Sequence, residues 1–275
     1  MIEISLTIDT NLVRKILTGF LHDEITRAGY SRAVVNLSGG IDSAVSLFLA
    51  AEALGPQNVM AICLPYKSSS ADSLEHALML INQIGCPSVT INITEMVDPL
   101  ITREAGMSAV RKGNIMARTR MIVAYDQSEA FKGLVVGTGN KTEILLGYTT
   151  LFGDSACAIN PIGDLYKTQV RQLVRALAIP EVIITKPPSA DLWAGQTDEG
   201  ELGFTYEDVD KLLLLLVDQR YRPEECIEAG FDEKFVRNVV DRIRRYQFKR
   251  VLPPIAKLSS RTVGYDFLYL RDWGT

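Results

Sequence analysis

Four short apolar runs alternate along the chain with longer segments of helical periodicity, and this order limits the possible folds more than any other feature. The runs read as buried strands and cover residues 33–37, 59–64, 89–93 and 133–136. Helical patterns cover residues 10–29, 42–53, 73–84, 114–131 and 166–178, the last with Asp164 as its expected N-cap. The pattern predicts an α/β fold, with helices on both faces of a doubly wound parallel sheet. Ligands on such sheets bind beyond the carboxyl ends of the strands, so the loops after residues 37 and 136 are the expected site.

The rest of the chain adds a predicted loop and a predicted helix. Residues 185–203 are rich in Pro, Gly, Asp and Ser and are interpreted as a long loop that serves as an active-site lid. The apolar stretch from Leu212 to Val217 is interpreted as a buried helix stripe, with a partner-binding zipper as the alternative. No linker divides the sequence, so residues 1–275 are expected to form a single domain.

A glycine turn links the first predicted strand to the next helix. Its residues are Ser38, Gly39, Gly40, Ile41, Asp42 and Ser43. The first N–H groups of a helix lack intrahelical partners, and adjacent glycines let a phosphate approach them, so the turn is a predicted anion site. It lacks the Lys-Ser/Thr of a P-loop and the third glycine of the dinucleotide fingerprint. A carboxylate at Asp42 would repel phosphate unless a divalent cation stood between them, which predicts Mg²⁺. A serine-rich cap that merely ends a strand is the alternative.

Composition excludes several classes of protein. The net charge of −4 and the pI near 5.4 give no electrostatic footprint for nucleic acid. No apolar run approaches the ~20 residues that span a bilayer, and the first residues lack the order of a signal peptide, so we expect no membrane partner and a cytoplasmic location. The four cysteines are widely spaced, which indicates reduced, buried thiols. Two histidines are too few for a multi-histidine metal centre.

The turn and a second group of motifs carry a family resemblance. SGGxDS is the signature of the N-type ATP pyrophosphatases, enzymes that break ATP between its α and β phosphates. Residues 137–143, 146–148, 152–154, 160–168, 186–192 and 253–273 closely resemble the corresponding stretches of NAD synthetases, in the same order. The resemblance spans roughly residues 30 to 275 and implies the adenine nucleotide α-hydrolase-like, Rossmann-like fold.

The resemblance implies how ATP, a co-substrate, is held. The residues from Ser38 to Ser43 would bind its phosphates, and Thr138 and Ser189 would add hydroxyl contacts. Lys167 would bind the phosphates as negative charge moves to the leaving pyrophosphate, which suits an ammonium group. A surface lysine on the first turn of a helix is the alternative for Lys167, although a cation there opposes the helix dipole.

The implied magnesium ligands are Asp42 and Glu143. Hard carboxylate oxygens suit Mg²⁺, and a metal ion beside an ammonium group stabilises departing negative charge. For Glu143, a capping or solvated helix carboxylate is the alternative interpretation.

The implied reaction is the amidation of deamido-NAD to NAD. The nicotinate carboxylate would attack ATP to give an acyl-adenylate and pyrophosphate, and ammonia would then displace AMP. Ammonium has no lone pair, so a carboxylate near the acyl carbon must take its proton. The resemblance suggests Asp154 for this role, and a turn-capping function is the alternative.

The resemblance places the acceptor, deamido-NAD, near Asn114, Arg118 and Lys249. A guanidinium suits a carboxylate or a phosphate, whereas scattered arginines on a surface helix are the alternative. The chain departs from one branch of the family at three positions, where a lysine, an aspartate and a histidine are replaced by Leu151, Ala158 and Phe248.

The nitrogen source and the assembly are also expectations from the resemblance. Only about thirty residues precede the first predicted strand, too few for the nitrilase-type glutaminase domain of some relatives, so we expect free ammonia or ammonia from a separate subunit. Relatives are homodimers. Residues 114–131, with Met116, Met121, Ile122 and Tyr125, are a candidate contact surface or an ordinary core-facing helix.

Two other functions remain open on the sequence. The first keeps the ATP-cleaving site and changes the acceptor, as in GMP synthetase, asparagine synthetase or tRNA-modifying ligases. The second is a nucleotide-binding regulator without turnover, since this sheet architecture also serves sensors. A retained Lys167 and two magnesium carboxylates favour an enzyme.

Overall fold

The computed structural model describes residues 4–189 and 197–268. Helices and strands alternate as predicted through the first half of the chain. In the second half of the described chain, the regular elements are all helices. In chain order the helices and strands are α1 Thr10–Arg27, β1 Ala33–Asn36, α2 Ile41–Leu54, β2 Val59–Cys63, α3 Ala71–Ile84, β3 Ser88–Thr90, α4 Thr94–Ile101, α5 Ala109–Phe131, β4 Leu134–Val136, α6 Lys141–Leu146, α7 Lys167–Ala176, α8 Glu181–Ile184, α9 Asp198–Leu202, α10 Tyr206–Leu213, a π-helix Leu214–Asp218, α11 Pro223–Glu228 and α12 Glu233–Arg245.

The described residues form a four-stranded sheet in the order β3-β2-β1-β4, and its strand pairs are all parallel. Val34 of β1 lies between Met60 of β2 and Val135 of β4. The chain leaves β1 toward β2 on one side and returns as β4 on the other, so the strand order reverses at β1. The predicted doubly wound α/β fold is confirmed, and the crevice between the carboxyl ends of β1 and β4 is the position where such folds bind ligands.

Side chains of the central strands alternate between two apolar layers. Val35 and Ala61 pack against α1, α2 and α7, whereas Val34 and Ile62 pack toward α4 and α5. This alternation follows from the two-residue period of a strand, and burial on both faces explains why the strands read as continuous apolar runs.

The predicted stripe in residues 212–217 is confirmed as part of a third apolar cluster. Leu212, Leu213 and Leu215 are fully buried where α10 continues into the π-helix. α11 and α12 cover them with Cys226, Val236 and Val239. Cys63, Cys86 and Cys226 are buried and Cys157 is half-buried, all as free thiols, as expected. No helix among the described residues is long and apolar enough to cross a membrane.

Two predictions for the second half of the chain are wrong. Asp164 is not the N-cap of α7, because residues 162–165 form a separate turn and α7 begins at Lys167 with Tyr166 as its N-cap. Asp164 is 96% exposed and pairs with Lys141 instead. The predicted loop 185–203 ends in a helix, α9, and its central residues 190–196 lie outside the described part of the chain, so the lid stays a prediction.

Candidate active site

A cavity of about 630 Å³ opens at the carboxyl ends of β1 and β4. The loop after β1 contributes Ser38 and Gly40, and the loop after β4 contributes Gly137 and Thr138. The two loops predicted from the strand pattern therefore form one site. Most of the other site residues predicted from the sequence also line it: Ile41, Asp42, Ser43, Asn114, Glu143, Asp154, Lys167, Ser189 and Lys249.

The glycine turn is shaped by close backbone packing. Gly39 has a φ of 77°, and a Cβ at this position would overlap the carbonyl oxygen of Ser73 at the start of α3. Gly40 is the N-cap of α2, and no side chain of the described residues caps it. Ser43 Oγ donates to the Gly40 carbonyl oxygen at 3.0 Å and lies 3.1 Å from Ser38 Oγ. The turn thus presents the N–H groups of a helix start to the cavity, as expected of an anion site.

A buried ammonium group lies between two carboxylates next to this turn. Lys167 Nζ is 2.6 Å from Asp42 Oδ2 and 3.0 Å from Glu143 Oε1. Only 3% of the Lys167 side chain is exposed, so the structure excludes a surface lysine. Asn140 supports the group, because its Nδ2 donates to Asp42 Oδ1 at 2.9 Å.

Burial and charge shift the titration of this cluster. Burial raises the pKa of Glu143 to about 7, with Lys167 opposing the rise and Asp42 adding to it. Burial alone would lower the pKa of Lys167, but the charges of Asp42 and Glu143 outweigh it and raise that pKa. The lysine therefore stays charged at neutral pH, whereas the ionisation of Glu143 responds to its surroundings.

The two carboxylates fit a divalent cation. Their oxygens already converge on a single positive atom, Lys167 Nζ, and carboxylate oxygens are the donors that Mg²⁺ prefers. Glu143 also caps α6, since its Oε2 accepts from Asn140 N at 3.3 Å. The capping interpretation therefore accounts for Oε2, whereas Oε1 pairs with Lys167. Among the described residues no group of three or more His, Cys, Asp or Glu side chains could hold a metal ion. A bound Mg²⁺ would therefore take its other ligands from substrate and water.

The buried carboxylate of Asp210, which the sequence analysis missed, fixes the helices that carry this cluster. Asp210 of α10 is fully buried. Its Oδ1 accepts from Thr142 Oγ1 at 2.5 Å, and its Oδ2 accepts from Thr168 N at 2.8 Å. Thr142 Oγ1 in turn accepts from Lys167 N at 3.0 Å. Burial raises the pKa of Asp210, and the hydrogen bonds from Thr142 and Thr168 oppose that rise.

Asp198 is a buried carboxylate of the cavity wall that the sequence analysis also missed. The hydroxyl groups of Tyr148 and Tyr206 donate to it at 3.2 and 3.0 Å. Burial raises the pKa of Asp198, and the charge of Lys167 opposes the rise. The Gly147-Tyr148 motif was the only signal in the sequence, since Asp198 lies within the predicted loop.

Asp154 also lines the cavity, at the turn that follows α6. Its Oδ2 accepts from Thr149 Oγ1 at 2.6 Å and its Oδ1 accepts from Thr150 N at 2.8 Å, so it does close a turn. Asn114 Oδ1 accepts from Thr150 Oγ1 at 2.8 Å, which ties α5 to the same turn. The structure therefore brings Asp154 and Asn114 together, with the Asp154 carboxylate exposed to the cavity.

Lys249 and Arg118 bind the backbone of this turn from two sides. Lys249 Nζ donates to the carbonyl oxygens of Gly147 and Thr149 at 2.8 and 2.6 Å, and burial lowers its pKa. Arg118 Nε donates to the Leu151 carbonyl oxygen at 3.2 Å. Arg118 is exposed and lies outside the described cavity wall, as do the three departures from the family pattern, Leu151, Ala158 and Phe248.

The chain is similar in sequence and in fold to NAD synthetases. The family model described as NAD synthase matches residues 13–253. The NH(3)-dependent NAD(+) synthetase of Trichlorobacter lovleyi is 54% identical over 269 residues, which cover 98% of each chain. A solved NMN synthetase from Francisella tularensis superposes with a TM-score of 0.82 at 32% identity, covering 92% of this chain and 100% of that one. The NH3-dependent NAD synthetase from Campylobacter jejuni, solved with a nitrate ion, gives a TM-score of 0.77 at 32% identity, covering 91% and 100%.

Proposed function

Because the chain belongs to the NAD synthase family, we propose that it is an ammonia-dependent NAD synthetase that uses ATP to amidate deamido-NAD. The observation that carries this proposal is the buried Lys167, held between Asp42 and Glu143 beside the glycine turn. A sensor without turnover has no need of an ammonium group placed where a leaving phosphate would gain charge. The fold and the relatives support the same conclusion.

The first step forms the acyl-adenylate. A nicotinate carboxylate oxygen attacks the α-phosphorus of ATP, and the bond to the bridging oxygen of the β-phosphate breaks, so the electron pair leaves with pyrophosphate. The N–H groups at the start of α2 bind the phosphates, with hydroxyl contacts from Ser38, Thr138 and Ser189. Lys167 donates to the phosphates as their charge grows. No protein nucleophile takes part, since positioning and electrostatics suffice.

Asp42 and Glu143 would hold Mg²⁺. The bound ion would neutralise phosphate charge that these carboxylates otherwise repel. Lys167 pairs with the same two carboxylates and offsets part of their negative charge.

The second step is attack of ammonia on the acyl carbon with loss of AMP. Asp154 is the residue we assign to bind ammonium and accept its proton, because Thr149 and Thr150 fix its carboxylate in the cavity wall. Asp154→Asn should slow NAD formation at least about 100-fold, the loss typical of a general base. Adenylate formation, measured as exchange of labelled pyrophosphate into ATP, should stay within twofold of wild type. Unchanged NAD synthesis in this variant would remove the assignment.

Asn114 and Lys249 are proposed to bind deamido-NAD, together with Arg118, which donates to the Leu151 carbonyl oxygen of the same turn. Lys249 donates hydrogen bonds to the carbonyl oxygens of Gly147 and Thr149, so it also stabilises the turn against which the acceptor would bind. We further propose that the enzyme is cytoplasmic and acts as a homodimer through α4 and α5.

The assay that tests the function measures pyrophosphate release from ATP with and without deamido-NAD, and NAD formation with ammonium or glutamine. We expect release that depends on deamido-NAD, and NAD formation with ammonium salts but none with glutamine alone. The acid form of NMN is the competing acceptor, because a solved NMN synthetase shares the fold. Faster amidation of that mononucleotide would replace the proposed acceptor, and ATP binding without pyrophosphate release would favour a regulator.

A further inference from the structure

Lys186 is the first residue of the motif 186–192 and a cation of the cavity wall, yet the proposed mechanism gives it no role. It follows α8 and is half-buried, and its Nζ lies 2.6 Å from Ser73 Oγ. No carboxylate in residues 4–189 or 197–268 forms an ion pair with it. A half-buried ammonium group without a described counter-charge raises the question of which anion it meets.

The neighbours of Lys186 place it beside the phosphate turn. Ser73 is the third residue of α3, and its carbonyl oxygen packs so closely on Gly39 that a side chain there would overlap it. Lys186 therefore binds Ser73, the residue that packs against the glycine turn. Its ammonium group and Gly40 line the same cavity.

The segment that carries Lys186 is fixed at both ends. On its N-terminal side, Ile183 is fully buried in the main core. On its C-terminal side two prolines restrict the backbone, and the Pro188 carbonyl oxygen accepts from Asp198 N at 3.1 Å. The ammonium group is thus held in place before a ligand binds, which reduces the entropy lost when it does.

The other cations of the described wall have partners away from the residue that packs on Gly39. Lys167 is already matched by Asp42 and Glu143, so that buried group of three has one negative charge in excess when all are ionised. Of the other cations in the described wall, Arg242 and Lys249 donate to carbonyl oxygens of residues 146–149. Arg120 donates to the Leu64 carbonyl oxygen at 3.1 Å and to Ser69 Oγ at 3.5 Å. Lys186 is the cation bound to the residue that packs on Gly39.

We propose that Lys186 binds the β and γ phosphates of ATP and the pyrophosphate that leaves, as a second cation opposite Lys167. The inference rests on the proposed adenylation of deamido-NAD. As the bond from the α-phosphorus to the bridging oxygen breaks, negative charge develops on pyrophosphate, and Lys186 donates a hydrogen bond to it. No proton is transferred in this step. The N–H groups of α2 and the two lysines then enclose the anion from different sides.

Direct binding separates this role from a structural one. Isothermal titration of the full chain with pyrophosphate in magnesium buffer should show Lys186→Gln weakened about 10- to 100-fold, the loss expected for a charge-assisted hydrogen bond. Binding of AMP, which lacks the β and γ phosphates, should change less than twofold. Lys186→Arg should recover most of the pyrophosphate affinity, because it keeps the charge. Lys234→Gln, an exposed lysine on α12 outside the cavity wall, is the matched control and should bind both ligands like wild type.

Three results would overturn the proposal: unchanged pyrophosphate affinity in Lys186→Gln, an equal loss of AMP affinity, or no measurable pyrophosphate binding by the wild type. The thermal midpoints of the variants should match that of wild type within a few degrees. NAD synthesis by wild type is measured in parallel. If wild type makes NAD and Lys186→Gln binds pyrophosphate as wild type does, only the role of Lys186 is removed. If Lys186→Gln binds pyrophosphate more weakly but wild type makes no NAD, only the proposed function is removed.

Discussion

At the scale of single residues, the ionisation of Glu143 links the site to pH. Burial raises its pKa to about 7 from an unfolded value near 4.5. A raised pKa means that the folded state binds the proton more tightly, so this stabilisation is complete below about pH 4.5 and is lost as the pH rises through 7. In EDTA, the thermal midpoint of the ligand-free protein should fall between about pH 5.5 and 8. Glu143→Gln should reduce that slope, and Glu129→Gln, at a side chain that is 77% exposed, should not. Equal slopes in all three proteins would contradict the assigned shift.

Lys167 is the residue on which both stability and chemistry depend. Lys167→Met leaves the carboxylates of Asp42 and Glu143, each 17% exposed, without the buried ammonium group that pairs with them. Breaking a largely buried ion pair in this way typically destabilises a protein by about 3 kcal/mol or more. We expect kcat to fall about 100- to 1,000-fold, as when one donor to a developing negative charge is removed. Chemical denaturation should show that adding Asp42→Asn to Lys167→Met recovers part of the lost stability. Additive losses in the double variant would argue against the ion pair.

At the scale of elements, Asp210 joins three helices around the site. It bonds Thr142 on α6 and caps α7 at Thr168, while Thr142 receives the N–H of Lys167. Asp210→Asn keeps the shape and removes the charge, so it should destabilise the protein by about 2 kcal/mol. If the bond network positions Lys167, kcat should fall about tenfold while the KM for ATP changes less. Glu207→Gln, at an exposed carboxylate on the same helix, is the control. A stability loss with unchanged kcat would make Asp210 purely structural.

The elements also show what the sequence can reveal. The turn at Gly39 and the strand before it were predictable, because a buried apolar run, two glycines and a helix start are all local signals. α4 was missed, since it is short and has Pro99 in its interior. Asp164 carries a good N-cap side chain, yet the chain turns once more before α7, and pairing with Lys141 holds that carboxylate elsewhere.

In the candidate site, too, residues within motifs were predictable and residues positioned by distant contacts were not. Asp42, Glu143 and Lys167 were predicted from motif resemblance, and the structure brings them together although 125 residues separate Asp42 from Lys167. Asp198 and Asp210 carry no such motif. Their roles arise from contacts with residues 50 and 68 positions away, and only packing of the helical second half decides which buried oxygen meets which donor.

At the scale of the whole molecule, the pair of helices α4 and α5 exposes several large apolar side chains. α4 and α5 pack together and leave Met96, Leu100, Ile122 and Tyr125 exposed, whereas Met116 of the predicted contact surface points into the core. A second copy that covers these side chains would bury apolar area otherwise left in water.

Sedimentation velocity at about 10 μM should therefore show a dimer. Ile122→Glu places a charge at the most exposed of these four residues, which is 62% exposed, so it should shift the protein to monomer. Because the position is not in the core, the substitution should not disturb core packing. Leu12→Glu introduces the same charge at an exposed apolar position of α1 and should leave the dimer intact. A wild-type monomer at this concentration would remove the proposed assembly. Dissociation by both variants would move the interface away from α4 and α5.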